Sequence, residues 1–160
     1  MKRTIFIGQA PAHPDSKHAV AGTYIRPWLY QLGFQEDDIV SHCRFYALMA
    51  GFPGNTKSGH LRPTPRQISE HRPVLMQALQ EFQPQVIVPV GSMAIAEVLP
   101  HVPGKLTDII GQTYRVNPFD CMPGAVTAVP LPHPSGRSTW INQHRDQVRA
   151  GLDLLRRYSA

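Results

Sequence analysis

The chain reads as an α/β protein, a single-domain three-layer α/β/α sandwich around a short central parallel sheet. Two observations predict this. Strand-like apolar runs at residues 4–7, 39–45, 86–90 and 126–131 alternate with helical patterns at about 25–32, 66–82, 92–99 and 140–158, and such alternation builds βαβ units whose strands run parallel. The 160 residues leave room for one domain spanning 1–160 and none for a second.

The first strand is Thr4-Ile5-Phe6-Ile7, closed by Gly8 and by the proline-bearing stretch Gln9-Ala10-Pro11-Ala12-His13-Pro14-Asp15. Strand-forming residues stopped by Gly and Pro mark a strand end. A helix over 25–32 and a second strand over 39–45 follow. Residues 50–65, rich in Gly, Pro, Ser, Asn and Thr, form a long surface loop, a length that is usually functional or mobile. After a helix over 66–82 comes the strand Val86-Ile87-Val88, then Gly91-Ser92 as the turn into a helix over 92–99. The last strand, with Ala125, Val126, Ala128 and Val129, delivers Pro130-Leu131-Pro132-His133-Pro134-Ser135-Gly136-Arg137-Ser138. The final helix has the clearest stripe. Ile141, Val148, Leu152 and Leu155 repeat at helical spacing, and Arg145, Arg149, Arg156 and Arg157 fall mostly outside it, as a solvated face would. No internal repeat or low-complexity tract is present.

Sixteen Lys and Arg against eleven Asp and Glu give a formal charge of +5 and an isoelectric point near 9.6. That balance suits a polyanionic partner without requiring one. There is no charged-then-apolar leader, and no apolar run approaches the roughly 18 residues of a membrane span. A cytoplasmic protein without a membrane partner, monomeric, is expected. Two cysteines, Cys43 and Cys121, in such a chain should be free thiols. The eight histidines are scattered, without HExxH or clustered Cys and His spacing, which argues against a dedicated metal site. Gly51-Phe52-Pro53-Gly54-Asn55-Thr56-Lys57-Ser58 lacks the strand-to-helix setting and the glycine before Lys57 that a phosphate loop needs. No GxSxG elbow or GxGxxG fingerprint occurs.

Two strand-end loops carry the chemistry. Loops at the carboxyl ends of strands are where α/β sheets place their sites, and here the first and last strands each run into a proline-stiffened turn with a polar tip. At these residues the chain resembles the uracil-DNA glycosylase superfamily, whose two signature motifs are a GQAP or GEAP loop after the first strand and an HPS loop after the last. The likeness continues between them. Gly22-Thr23-Tyr24-Ile25-Arg26-Pro27-Trp28-Leu29 sits where those enzymes carry a base-stacking aromatic. Pro53-Gly54-Asn55 and Pro63-Thr64-Pro65-Arg66-Gln67-Ile68 resemble the PPGN and PTPEE stretches of the bacterial iron–sulfur branch, and Pro84–Ala94 is similar to the strand, glycine turn and helix that follow. The matches run in order over nearly the whole chain.

The resemblance implies a DNA glycosylase that flips a deaminated base out of the duplex and hydrolyses its N-glycosidic bond. It implies His133 as the donor to the base O2 that becomes anionic on departure. The best-known branches carry Asp, Asn or Glu inside the first motif; this chain has Gln9-Ala10, neither of which can act as a base. Asp15 is therefore expected to orient water and stabilise the sugar cation, although an Asp after Pro also serves as a turn or cap residue, with His13 in reserve. Base recognition falls to the backbone of Gln9 and Ala10, to Tyr24 by stacking, and to Ser41 at the second strand end, where tight uracil readers have an Asn. Tyr24 could equally be core. The single hydroxyl of Ser41 leaves hypoxanthine and xanthine open as targets. DNA would be held by Ser135, Gly136, Arg137 and Ser138, with Arg137 as the plug, and by Ser92, whose turn is either a phosphate seat or a plain helix cap. The related branch holds its iron–sulfur cluster with four thiolates; two cannot, so no cofactor is expected, although Cys43 falls near one ligand position. The alternative is a non-catalytic or repurposed member of the fold that binds a nucleobase, nucleotide or damaged DNA.

Overall fold

In a computed structural model, residues 1–11, 20–56, 59–134 and 139–160 are described. Their elements are β1 (Thr4–Gly8), α1 (Val20–Gln31), α2 (Glu36–His42), β2 (Cys43–Ala47), β3 (Asn55–Thr56), β4 (Gly59–His60), α3 (Pro65–Phe82), β5 (Val86–Pro89), α4 (Ser92–Val98), α5 (Leu106–Ile109), β6 (Tyr114–Val116), β7 (Val126–Ala128), α6 (Thr139–Gln143) and α7 (Arg145–Ser159). A five-stranded sheet has the order β2-β1-β5-β7-β6. β2, β1, β5 and β7 are mutually parallel, and β6 runs antiparallel along β7. The sheet is thus parallel except at one edge, where the short β6 had no distinct apolar signature.

Period-two alternation explains the layers. On β1, Ile5 and Ile7 face one way and join Leu75 and Leu79 of α3, Ile95 and Val98 of α4 and Ile109 of α5. Phe6 faces the other way and joins Ile25 and Leu29 of α1, Ile39 of α2 and Leu155 of α7. Its ring stacks on Phe45 with centroids 5.1 Å apart. Both faces of the sheet are covered by helices, which is why its central strands read as continuous apolar runs. Truncating a fully buried aromatic such as Phe6 to Ala should cost about 3–5 kcal/mol.

The structure departs from the sequence expectation in several places: the stretch 50–65 carries the short antiparallel pair β3–β4, α5 and β6 are additional, and two of the longer runs divide differently. The run 39–45 is not one strand. Residues 36–42 form α2, because Glu36, Asp37 and Asp38 fill its first turn, where carboxylates complement the helix dipole, and the Asp38 carboxylate accepts from the Gln35 N–H at 3.3 Å. Arg26 and Tyr30 of α1 both donate to the Glu36 carboxylate, clamping α1 to α2. The C-terminal helical stretch is likewise two helices, broken at His144 (φ −129°, ψ 41°). α7 then packs close on the end of β7, since a Cβ at Gly151 would lie 3.1 Å from Leu131 Cδ2.

Candidate active site at the carboxyl edge of the sheet

Parallel strands gather their carboxyl ends on one edge. Register places Gly8 of β1 beside Ala47 of β2, and Ile7 beside Pro89 of β5. Val90 then bridges to Leu131, the residue two before His133. The first and last loops therefore emerge on the same edge, with only β5 between their strands, two strand spacings or about 10 Å.

Backbone hydrogen bonds stitch these ends together. The Leu48 N–H donates to Gly8 O at 3.0 Å and to Gln9 O at 3.3 Å, tying the first loop to the end of β2. The Val90 N–H donates to Ile7 O at 2.9 Å, the Leu131 N–H to Pro89 O at 3.0 Å, and the Gly91 N–H to Leu131 O at 2.9 Å. Gly91 has φ 86° and ψ 162°, a region essentially closed to residues with a Cβ. A Cβ there would lie 3.6 Å from that of His133, so the turn that opens α4 is also the floor under the histidine.

Gln9 and His133 are half-buried and Ala10 is buried, so solvent reaches both Gln9 and His133 at this edge. Tyr24 is 48% exposed and is not part of the core that Ile25 and Leu29 build, which removes the core alternative. It sits on the half of α1 that the connection from β1 reaches first. Ser92 is exposed at the start of α4. Asp15, the reserve His13, and Ser135, Gly136, Arg137 and Ser138 lie outside the described residues.

Ser41 is misplaced by the sequence reading. It lies in α2, before Cys43, which pairs with Thr4 at the amino end of β1. The four steps from Cys43 to Ala47 put it at least ~13 Å from the loop edge. Its assignment followed from reading 39–45 as a strand. The true end of β2 carries Ala47, Leu48, Met49 and Ala50, none of which has a side-chain amide to pair with a base.

That end also opens into two adjoining clefts that the sequence did not mark. One, of about 250 Å³, is lined by Met49, Ala50, Gly51, Gln67, Glu70 and His71. The other, of about 210 Å³, shares Met49, Ala50 and His71 and has Pro11 of the first loop in its wall. Burial pushes the His71 imidazole below its ordinary value, favouring the neutral ring. A histidine on a helix with no neighbouring motif gave no signal of this placement.

The donor set does not fit an iron–sulfur cluster. Cys43 is buried among the α1-side residues, whereas Cys121 packs against the α3-side core, so the sheet separates the two thiols. Burial pushes the Cys43 thiol up to about 12. Among the described residues no three His, Cys, Asp or Glu side chains gather as a metal site, and no helix is long and apolar enough to cross a membrane.

No curated protein matches the chain. A family model, the uracil DNA glycosylase superfamily, matches residues 1–154 of the 160. The match takes in both loops of the carboxyl edge and the strands that bring them together, and the chain belongs to the uracil DNA glycosylase superfamily.

Proposed function

We propose that the protein is a monomeric DNA glycosylase that removes uracil or a related deaminated base by flipping it from the stack and hydrolysing its N-glycosidic bond. Proteins of this superfamily act on DNA, and membership supports a glycosylase-like function in general. The observation that carries the finer reading is the shared edge of the Gln9-Ala10-Pro11 loop and His133, held in register through Val90 and Gly91.

In this mechanism the flipped base lies on Tyr24 with its polar edge against the Gln9-Ala10 backbone. As the bond to the sugar lengthens, negative charge grows on the base O2 and positive charge on the sugar. His133 donates to that oxygen, stabilisation of a kind worth about 10²–10³ in rate. Asp15 holds the attacking water and opposes the sugar cation. Arg137 fills the gap in the duplex, while Ser92, Ser135, Gly136 and Ser138 hold phosphates. No metal or cluster takes part in any step.

The apolar end of β2 bears on selectivity. With no amide on the β2 end itself, and with Oε1 of Gln67 in the cleft wall taken by the Thr64 N–H, discrimination rests on backbone groups and cleft shape, so hypoxanthine and xanthine remain in the substrate class with uracil. The same feature, with no carboxylate at Gln9-Ala10, favours a second reading in which the fold binds a damaged base without cleaving it. Labelled oligonucleotides carrying a single uracil, hypoxanthine or xanthine, treated with alkali after incubation, separate the two. Strand breaks at the modified position support excision. Binding without breaks for all three bases supports the second reading.

A further inference from the structure

The carboxyl edge has a flank to which no role has been given, the corner where α6 meets α7. Thr139 follows His133 by six residues, so this corner is tethered to the HPS loop. The corner is braced. The Trp140 and His144 rings stack with centroids 4.3 Å apart and planes 13° from parallel, and His144 Nδ1 lies 2.8 Å from the Trp140 carbonyl oxygen. The first turn of α7 is pinned as well, because Gln147 Nε2 donates to Thr107 O at 2.6 Å and to Ile110 O at 2.8 Å.

Pinning Gln147 decides where its neighbours point. At about 100° per residue, positions two before and two after it lie roughly opposite. Those positions are Arg145 and Arg149, both exposed. They stand four residues apart, ~6 Å along the helix axis, on the scale of successive phosphates along one strand. Asp146 and Asp153 share the helix, yet among the described residues neither arginine is in an ion pair. An arginine already holding a carboxylate would gain little from a phosphate; these two are available to one.

We propose that Arg145 and Arg149 clamp two consecutive backbone phosphates of the DNA strand on the α6–α7 side of the excised nucleotide. This rests on the DNA reading above and extends the contact surface beyond the two loops. Guanidinium groups suit phosphate geometry, and a rigid helix flank holds them without ordering a loop on binding.

The test is a salt titration of binding to a duplex carrying one 2′-fluoro-2′-deoxyuridine, a substrate that resists hydrolysis. Each phosphate contact contributes about 0.9 to the slope of log affinity against log salt. Arg145→Gln/Arg149→Gln should therefore lower the slope by about 1.8. Arg156→Gln/Arg157→Gln, at the far end of the same helix where Ser159 O accepts the Lys2 N–H at 2.7 Å, should leave it unchanged. Arg145→Lys/Arg149→Lys, which keeps both charges on the same scaffold, should retain most of the slope. The proposal is overturned if the wild type binds and the first pair changes nothing, or if both Gln pairs lower the slope equally, which would mean diffuse charge. It is also overturned if the Lys pair falls as far as the Gln pair, which would mean a disturbed helix. A wild type that does not bind the duplex at all removes the DNA reading itself, a separate result.

Discussion

Gly91 is the position where backbone geometry and the candidate chemistry meet, and replacing it with Ala tests both. Its φ of 86° and ψ of 162° fall in a region costing a residue with a Cβ about 1–3 kcal/mol. Space is not the obstacle, since the added carbon would sit 3.6 Å from His133 Cβ, ordinary contact. The strain therefore has two outlets. If the turn holds, the cost appears as stability, and at about 2–4 °C per kcal/mol for a chain of this size the melting temperature should drop by roughly 2–12 °C. If the turn relaxes, the bond from the Gly91 N–H to Leu131 O is strained and the loop carrying His133 shifts, so the excision rate falls instead. Gly124, whose φ is not in the positive region and whose added Cβ would meet nothing within 4 Å, is the control, and Gly124→Ala should change stability by less than about 0.5 kcal/mol. Calorimetry with single-turnover excision on the same preparations reads both outlets. A Gly91→Ala protein with wild-type melting and wild-type rate would refute the role given to this turn.

Other consequences follow from the same structure. His133→Ala should slow single-turnover excision by about 10²–10³ while leaving DNA affinity nearly unchanged; equal loss of both would reduce His133 to a loop anchor. Arg137→Ala should impair excision from duplex much more than from single-stranded DNA, because the unstacking cost of a few kcal/mol is largely absent in single strands; equal factors on the two substrates would exclude a plug. Burial pushes the Cys43 thiol up to about 12, so in mildly alkaline buffer it stays protonated and should resist alkylation in the native protein. Mass spectrometry finding rapid native modification of Cys43 would contradict that packing.

The alternation of strands and helices was legible because each face of the sheet is buried, which left residues 5–7 and 86–88 as unbroken apolar runs. β2 was displaced because Ile39 and Val40 look like strand residues. The three carboxylates at 36–38 were the available signal for a helix, and Ile39 is buried by α2 packing rather than by strand pairing. That slip moved the expected base reader to Ser41, at the wrong end of the sheet. β6 and α5, of three and four residues, are too short for any period to register. At the site, the first and last loops were readable since proline and polar residues follow directly on apolar strands. His71 was not, because its place beside Pro11 depends on how α3 crosses the sheet.

The central claim is that a flipped base sits over the carboxyl ends of β1 and β7. It is tested most directly by a crystal structure with a duplex carrying one 2′-fluoro-2′-deoxyuridine. The account predicts the uracil out of the helix, its O2 within hydrogen-bond reach of the His133 ring and its edge on the Gln9-Ala10 backbone. A base that stays stacked, or a duplex bound across another face of the sheet with His133 remote from it, would contradict the account.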